Sequence, residues 1–228
     1  KDVTNRMKDV EHFWESGELN PESNVQFGEG GAGTFSDGKL NTLVKDKFGR
    51  NRVVLETFVE HGAPEEILYE NKPHIGTDLL RNVVAGIREE IRSLGGDVRF
   101  EAKVTDFVIQ DGKLTGLIIN DKEEIKTEAA ILAPGHSARD TFKVLSDRDL
   151  EMNPKAFAIG LRVEHPREMI DHSQYGKGAD QYDLPAASYK LTYHANNGRS
   201  VYSFCMCPGG FVVNASSEPE RLTVNGMS

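Results

Sequence analysis

The sequence predicts an α/β protein with α+β character, and three features in the middle of the chain carry this prediction. An amphipathic helix is predicted over residues 78–94, because seven apolar residues recur there at helical spacing. Over 98–127 the apolar residues recur at every second position instead, which is typical of an antiparallel β-meander. A short run that is apolar throughout, 129–133, then indicates a strand buried on both faces.

The first part of the chain is predicted to be mainly helical. Apolar residues at helical spacing predict a helix over 2–15, and a second such pattern predicts a helix that ends near residue 62. Pro64, followed by two glutamates, is the usual start of a third helix. Thr77 is the expected N-cap of the helix over 78–94, and Gly95 with its glycine neighbour is the expected stop.

Turn signals divide the predicted meander and separate it from the later elements. Asp111-Gly112 is a hairpin signal, and residues 120–122 form the next turn. The buried strand ends at Pro134-Gly135. Ser137 and Asp140 then form a capping box, which predicts a further helix.

The pattern changes after residue 150, which predicts a first domain over 1–150 and a β-rich second domain over 151–228. Residues 157–163 alternate between apolar and polar, as a strand with one apolar face does. Further strands are predicted over 189–193 and 200–207, with a long polar excursion over 165–187. We expect these strands to form an antiparallel layer against the first domain, on its substrate side.

Composition narrows the class of protein. The chain has 228 residues and a net charge of −9, which argues against a broad nucleic-acid surface. No apolar run approaches the roughly 20 residues of a membrane span. The two cysteines are too few for a disulfide scaffold or a thiolate metal site, so we expect a reducing, cytoplasmic compartment and no metal.

A glycine-rich segment over residues 26–40 carries the strongest functional signal. Five glycines fall within 28–38 and a lysine follows them. Glycine permits positive φ, and successive N–H groups in such a loop can hold phosphate or another anionic group. A flexible surface turn is the alternative. Gly28, Gly30 and Gly33 satisfy G-x-G-x-x-G, but neither a strand before them nor a helix after them completes a dinucleotide fingerprint.

Residues 77–140 resemble the glutathione-reductase-type FAD-binding fold, in which a meander is inserted as a crossover before a strand and a glycine-containing turn. Four motifs are similar to those of the bacterial NAD(FAD)-utilising dehydrogenase family. They are Asn24 to Leu40, Gly135-His136-Ser137-Ala138-Arg139-Asp140, Arg162-Val163-Glu164-His165-Pro166 and Phe204-Cys205-Met206-Cys207-Pro208-Gly209-Gly210. The resemblance implies an incomplete FAD-binding, Rossmann-like domain followed by a β-rich domain.

This resemblance also implies the cofactor-binding residues. FAD is the expected cofactor, and NAD(P)H is a candidate co-substrate. The glycine-rich segment is expected to contact the flavin or pyrophosphate, Val104 to lie beside the adenine, and the turn after the buried strand to approach the cofactor. The residues are Gly28, Glu29, Gly30, Gly31, Ala32, Gly33, Thr34, Ser36, Asp37, Gly38, Lys39, Val104, Ala133, Pro134 and Gly135.

Five residues are candidates for chemistry, each with a plain structural alternative. His136 is a candidate acid or base, or simply a structural residue at a helix start. Arg162 and His165 follow a predicted strand and are candidates for an anionic substrate, or for an ordinary surface pair. Cys205 and Cys207 would share one face of a strand about 7 Å apart, too far for an unstrained disulfide. They are either buried small hydrophobes or a redox relay to the flavin.

Two functions remain open from the sequence. The first is a soluble FAD-dependent oxidoreductase acting on an unidentified small molecule, with an electron-transfer partner as a further candidate. The second is a non-catalytic module that binds a ligand or partner. Because the family opens with a βαβ unit that the residues before the glycine-rich segment do not form, we expect an internal fragment. In it, residues 28–39 would present unpaired N–H groups and bind FAD weakly or not at all.

Overall fold

The computed structural model describes residues 1–35, 38–40, 45–70, 73–204 and 206–227, and within them the chain is α+β with small antiparallel sheets. The helices are α1 (Val3–Ser16), α2 (Arg50–Glu60), α3 (Thr77–Ser93), α4 (Arg139–Asp147) and α5 (Arg167–Tyr175), with 3-10 turns at Ala32–Phe35, Glu65–Leu68 and Gly176–Asp180. The strands are β1 (Val104–Gln110), β2 (Lys113–Ile119), β3 (Glu123–Lys126), β4 (Thr192–His194), β5 (Ser200–Tyr202), β6 (Phe211–Asn214) and β7 (Val224–Met227).

Helix α1 is confirmed where the apolar spacing places it, because local signals define both of its ends. The Asp2 side chain accepts hydrogen bonds from the backbone N–H groups of Thr4 and Asn5, as an N-cap does. Gly17 ends the helix with a left-handed φ of 79°, a conformation that glycine adopts without steric cost.

The other early helices differ from prediction in detail. Helix α2 is confirmed, but the third predicted helix is only the 3-10 turn at Glu65–Leu68. Helix α3 begins one residue early, with Gly76 rather than Thr77 as the N-cap. Thr77 therefore lies inside the first turn.

The meander is confirmed, with order β1-β2-β3 and both pairs antiparallel. Its first strand begins at Val104 rather than near residue 98. Glu101 has a φ of 52°, which no regular strand permits, and the Lys103 N–H donates to the side chain of Asn120 at 2.9 Å. The chain therefore bends before it enters the sheet.

The predicted buried strand over 129–133 is wrong for this chain. None of these residues lies in a strand, and the side chain of Ile131 is 97% exposed, with Leu132 exposed as well. A strand of this composition needs neighbours on both sides, and no described strand pairs with it. The Rossmann-like part of the predicted fold class is thus not formed among the described residues.

The C-terminal part is less regular than its alternation predicts. Residues 157–163 form no strand, and their apolar side chains are exposed. The expected excursion over 165–187 contains helix α5, which Pro166 precedes and an Arg167–Asp171 ion pair supports one turn on. Of the two later predicted strands, parts survive as the β4–β5 hairpin, and β6 pairs with β7.

Two apolar clusters form the core. One joins α2, the 3-10 turn after it and α3, with Ile75 and Val83 fully buried. The other joins α1, the glycine-rich segment and the C-terminal part, through Val10, Phe35 and Ala215. The second cluster fixes the glycine-rich segment between the two ends of the chain.

We expect Ile75→Ala and Ile131→Ala to have very different effects on residues 1–228. Ile75 is 0% exposed, so its truncation leaves a cavity and should lower the free energy of unfolding by about 2–5 kcal/mol. Ile131 is 97% exposed, and its truncation should change that free energy by no more than about 0.5 kcal/mol. Urea unfolding of both variants measures this, and equal losses would contradict the described packing of 129–133.

Candidate functional site

A buried arginine organises the glycine-rich segment. The Arg6 guanidinium donates from Nε to the Asn24 carbonyl at 2.8 Å and from Nη2 to the Val25 carbonyl at 2.8 Å. Its Nη1 donates to the Glu29 carbonyl at 2.7 Å and to that of Gly28 at 3.4 Å. The fixed fork of a guanidinium suits such a divergent set of acceptors, and one side chain thereby holds six residues of loop on helix α1.

Burial shapes the chemistry of this arginine. Its side chain is 0% exposed, and the guanidinium lies 4.5 Å from the centre of the Phe35 ring. Desolvation lowers the pKa of Arg6 to about 10, while the nearby charge of Glu29 opposes that shift. The group therefore remains cationic at neutral pH.

The side chain of Glu29 extends the same attachment to two helices. Its Oε2 accepts from the Val3 N–H at 2.7 Å, one of the free amides at the start of α1. The same oxygen accepts from Arg88 Nη1 on α3 at 2.7 Å. Because both carboxylate partners come from the protein, Glu29 serves the loop's own structure.

The glycines of the segment divide into two groups. A Cβ on Gly28 would meet Arg6 Cδ at 2.5 Å, one on Gly30 would meet Thr34 Oγ1 at 2.1 Å, and one on Gly38 would meet the Ile75 carbonyl at 1.8 Å. These three are required by internal packing. A Cβ on Gly31 or Gly33 would meet nothing within 4 Å, so these two face open space.

The expectation that the loop presents only unpaired N–H groups is wrong. The amides of Glu29, Gly31 and Thr34 donate to the carbonyls of Lys1, Gly28 and Gly31. The amides of Gly30 and Ala32 donate to no described residue, and both residues are exposed. The buried Thr34 Oγ1 also lacks a hydrogen-bond partner among the described residues.

These observations fit an anionic group of a cofactor at one face of the loop. Two free amides and the open sides of Gly31 and Gly33 form the kind of backbone concavity that accepts phosphate oxygens. The face toward Arg6, in contrast, is filled by protein. FAD therefore fits only the outer face of the segment.

A cavity of about 290 Å³ lies between the start of the glycine-rich segment, the residue before β1 and the start of α4. Its lining includes Phe27, Lys103, Pro134 and residues 137–141. Lys103 Nζ pairs with Asp140 at 2.6 Å and with Glu22 at 3.1 Å. The hydrogen bond from Lys103 is the largest contribution that lowers the pKa of Asp140.

The turn after residues 129–133 supplies several of the proposed cofactor residues but not their predicted setting. Pro134 lines the cavity, Ala133 is exposed, and Gly135 has a φ of 78° with open space where a Cβ would lie. Val104 is half-buried at the start of β1. His136 is exposed and its Nδ1 lies 3.0 Å from Ser137 Oγ, so the predicted capping box does not form and Ala138 is the N-cap of α4.

A second cluster joins the glycine-rich segment to the C-terminal part. Residues 38–40 lie beside 73–75, with Lys39 and His74 in an antiparallel bridge. Lys39 Nζ then donates to the Met206 carbonyl at 2.5 Å and to Cys207 Sγ at 3.5 Å. Two candidates from distant parts of the sequence are thus brought together.

Arg162 belongs to the same cluster. Its Nη2 donates to Asn225 Oδ1 on β7 at 3.2 Å. A Cβ on Gly226 would lie 2.9 Å from Cys207 Sγ and 3.1 Å from Arg162 Nη1, so glycine at this position lets both side chains close over the strand. Two cationic side chains and a half-buried free thiol therefore meet at β7.

His165 has a separate partner. Its Nε2 lies 2.8 Å from the Tyr189 hydroxyl, and the two rings meet edge to face with centroids 5.8 Å apart. Ser36, Asp37 and Cys205 lie outside the described residues, so their proposed roles remain predictions.

Sequence reasoning missed the residues that hold the site. Arg6 stands beside the apolar stripe of α1, where a charged residue normally faces solvent. Asn225 and Gly226 lie in a strand that no alternation signals. Only the glycine at 28, whose side is filled by Arg6, offers a hint, and it is not legible without coordinates.

The described part of the chain contains neither a membrane-spanning helix nor a metal-binding cluster. No helix there is long and apolar enough to cross a membrane. Nor does any group of three histidine, cysteine or acidic side chains among the described residues lie close enough together to bind a metal.

Comparison with known proteins identifies a flavoprotein-related segment. Residues 156–228 match a family model described as "FAD-dependent protein, C-terminal domain-like". The whole chain is 54% identical over 229 residues to a Clostridium beijerinckii protein described as an uncharacterized protein, and it covers 42% of that relative. The chain thus spans about two fifths of the length of the relative that it matches.

We expect Arg6→Lys to destabilise residues 1–228 by about 3–5 kcal/mol, because an ammonium cannot reach four divergent carbonyls and leaves some buried without a donor. Arg52→Lys, at an exposed pair with Glu56, is the control and should cost at most about 0.5 kcal/mol. Urea unfolding of each variant measures the difference. A loss below about 1 kcal/mol for Arg6→Lys would contradict the role given to this side chain.

Acid should weaken the ion pair between Lys103 and Asp140. Because the folded protein holds the pKa of Asp140 below its ordinary value of 3.8, the pair stabilises the fold above that pH and its contribution is lost as the pH falls below it. Asp140→Asn should therefore lose less stability than the parent between about pH 6 and about pH 3. Asp149→Asn, at a residue without an ion pair among those described, should behave as the parent. An unchanged pH dependence in Asp140→Asn would contradict this assignment.

Proposed function

We propose that residues 1–228 are an internal part of a larger FAD-dependent oxidoreductase, of the kind called NAD(FAD)-utilising dehydrogenases. The match of residues 156–228 to an FAD-dependent family is the observation that carries this proposal. In it, residues 1–150 contribute to a Rossmann-like FAD-binding domain and 151–228 form a domain on the substrate side. We place the protein in the cytoplasm.

FAD would be held at the outer face of the glycine-rich segment. The free amides of Gly30 and Ala32 and the open sides of Gly31 and Gly33 suit the pyrophosphate oxygens. Asp37, Ser36 and Gly38 continue the same contact surface. Val104 and the turn Ala133-Pro134-Gly135 would approach the cofactor from the meander side, next to the cavity at Pro134.

When bound, FAD supplies hydride or electron transfer, and NAD(P)H is the proposed co-substrate. The chain's own residues then bind and orient the reactants. Lys39 and Arg162 place two positive charges beside Cys207, which suits a substrate with an anionic end. Cys207, with Cys205, is the proposed redox relay, because a thiol next to a lysine ammonium more readily forms the thiolate.

The two histidines are proposed acid–base groups at different places. His136 begins the segment that lines the cavity, and His165 is oriented by the Tyr189 hydroxyl. A histidine whose second nitrogen has a fixed partner presents a defined nitrogen to a reactant. A non-catalytic, partner-binding module is the second candidate function, and the exposed apolar segments favour it.

The polypeptide from the complete reading frame that contains residues 1–228 tests the oxidoreductase. It should be isolated yellow, with the visible spectrum of oxidised flavin, and should bleach when NADH or NADPH is added without oxygen. Flavin identity is established by denaturing the protein and analysing the released cofactor. A colourless protein that stays colourless after incubation with FAD would contradict the proposal.

Two glycine variants separate folding from cofactor binding in that polypeptide. Gly33→Ala should keep its stability within about 0.5 kcal/mol, because a Cβ there meets nothing, yet lower FAD affinity about tenfold by occupying the ligand's space. Gly30→Ala is the matched variant in which folding itself should suffer, by at least about 1–2 kcal/mol, since its φ is +86° and its Cβ would clash with Thr34.

Calorimetric titration of FAD and urea unfolding measure the two properties side by side. Undiminished FAD affinity in Gly33→Ala would remove the outer face of the segment from the cofactor site.

A further inference from the structure

The segment 157–163 has two different faces. On one, Arg162 donates to Asn225 of β7 and Glu164 accepts from the Val212 N–H of β6 at 2.6 Å, so the segment is held on the β6–β7 hairpin. On the other, Phe157, Ile159, Leu161 and Val163 are each at least 68% exposed. This is the alternation of a strand, with the polar side anchored and the apolar side uncovered.

The backbone of the same segment is also unpaired. No backbone hydrogen bond links residues 155–161 to another part of the described chain. A row of free N–H and C=O groups beside an apolar face is the surface to which another strand adds. Residues 129–133, with Ile131 97% exposed, combine the same two properties.

The exposed area of the whole chain shows that such surface is abundant. A compact monomer of this mass exposes about 10,300 Å². The chain exposes 16,639 Å², about 1.6 times as much. Single exposed apolar residues are ordinary, but two unpaired apolar strand segments and an excess of this size indicate a surface that is covered in the native protein.

We propose that residues 157–163 and 129–133 are strands completed by another part of the same, longer polypeptide. That part supplies a strand that pairs with each free backbone and apolar side chains that cover Ile131, Ile159 and Leu161. Length favours this occupant, because the Clostridium beijerinckii relative extends well beyond the 42% that this chain covers. This proposal does not depend on flavin binding.

Hydrogen exchange of the polypeptide from the complete reading frame tests the proposal, with and without FAD. Amides of 157–163 and 129–133 should exchange at least about 100-fold more slowly than in an unstructured peptide, in both conditions, at concentrations where sedimentation shows a monomer. Exchange at the unstructured rate would overturn the proposal. So would protection that disappears on dilution to the monomer, which would make a second copy the occupant, or a reading frame that adds no residues to the 228.

A pair of variants tests the same surface by stability. In the complete polypeptide, Leu161→Asp should lower the melting temperature by several degrees, because a carboxylate would lie in the covered layer. Leu222→Asp is the control, since Leu222 is exposed to a similar degree (77%) but lies outside both segments. Equal melting temperatures for the two variants would overturn the proposal, whatever the outcome of the flavin experiments.

Discussion

The buried guanidinium of Arg6 is the interaction on which the described structure most depends. It turns four backbone carbonyls of residues 24–29 inward and stacks on Phe35, so a glycine-rich loop acquires one conformation. With that loop fixed, the Glu29 carboxylate reaches α1 and α3 together. A charge without a directly paired carboxylate is costly to bury, and the hydrogen bonds to carbonyls offset that cost.

Fixing the inner face of the loop has a consequence for its outer face. The amides that face solvent are held in place before any ligand arrives, which lowers the entropy lost on binding. The same framework carries Lys39 across to Cys207 and Met206, so the proposed cofactor surface and the proposed substrate surface are connected through one segment. The function proposed for the chain thus depends on how the loop is anchored rather than on a G-x-G-x-x-G pattern.

The sequence predicts what local interactions decide and misses what distant ones decide. Helices α1 and α3 and the β1–β3 meander follow from apolar spacing, caps and turn residues within each element. The apolar run at 129–133 carries a strand signal without a neighbour among the described residues to realise it. The role of Arg6 depends on residues about 20 positions away, and spacing within a helix does not reveal such partners.

Calorimetric titration of FAD into the complete polypeptide and into residues 1–228, side by side, tests the central claim most directly. We expect a dissociation constant of about 1 µM or lower for the complete polypeptide, and weak or absent binding for residues 1–228, which supply only one face of the site. Equally tight, stoichiometric binding to residues 1–228 would contradict the view that this chain is a part of the flavin site. Absence of binding to both would contradict its assignment to a flavoprotein.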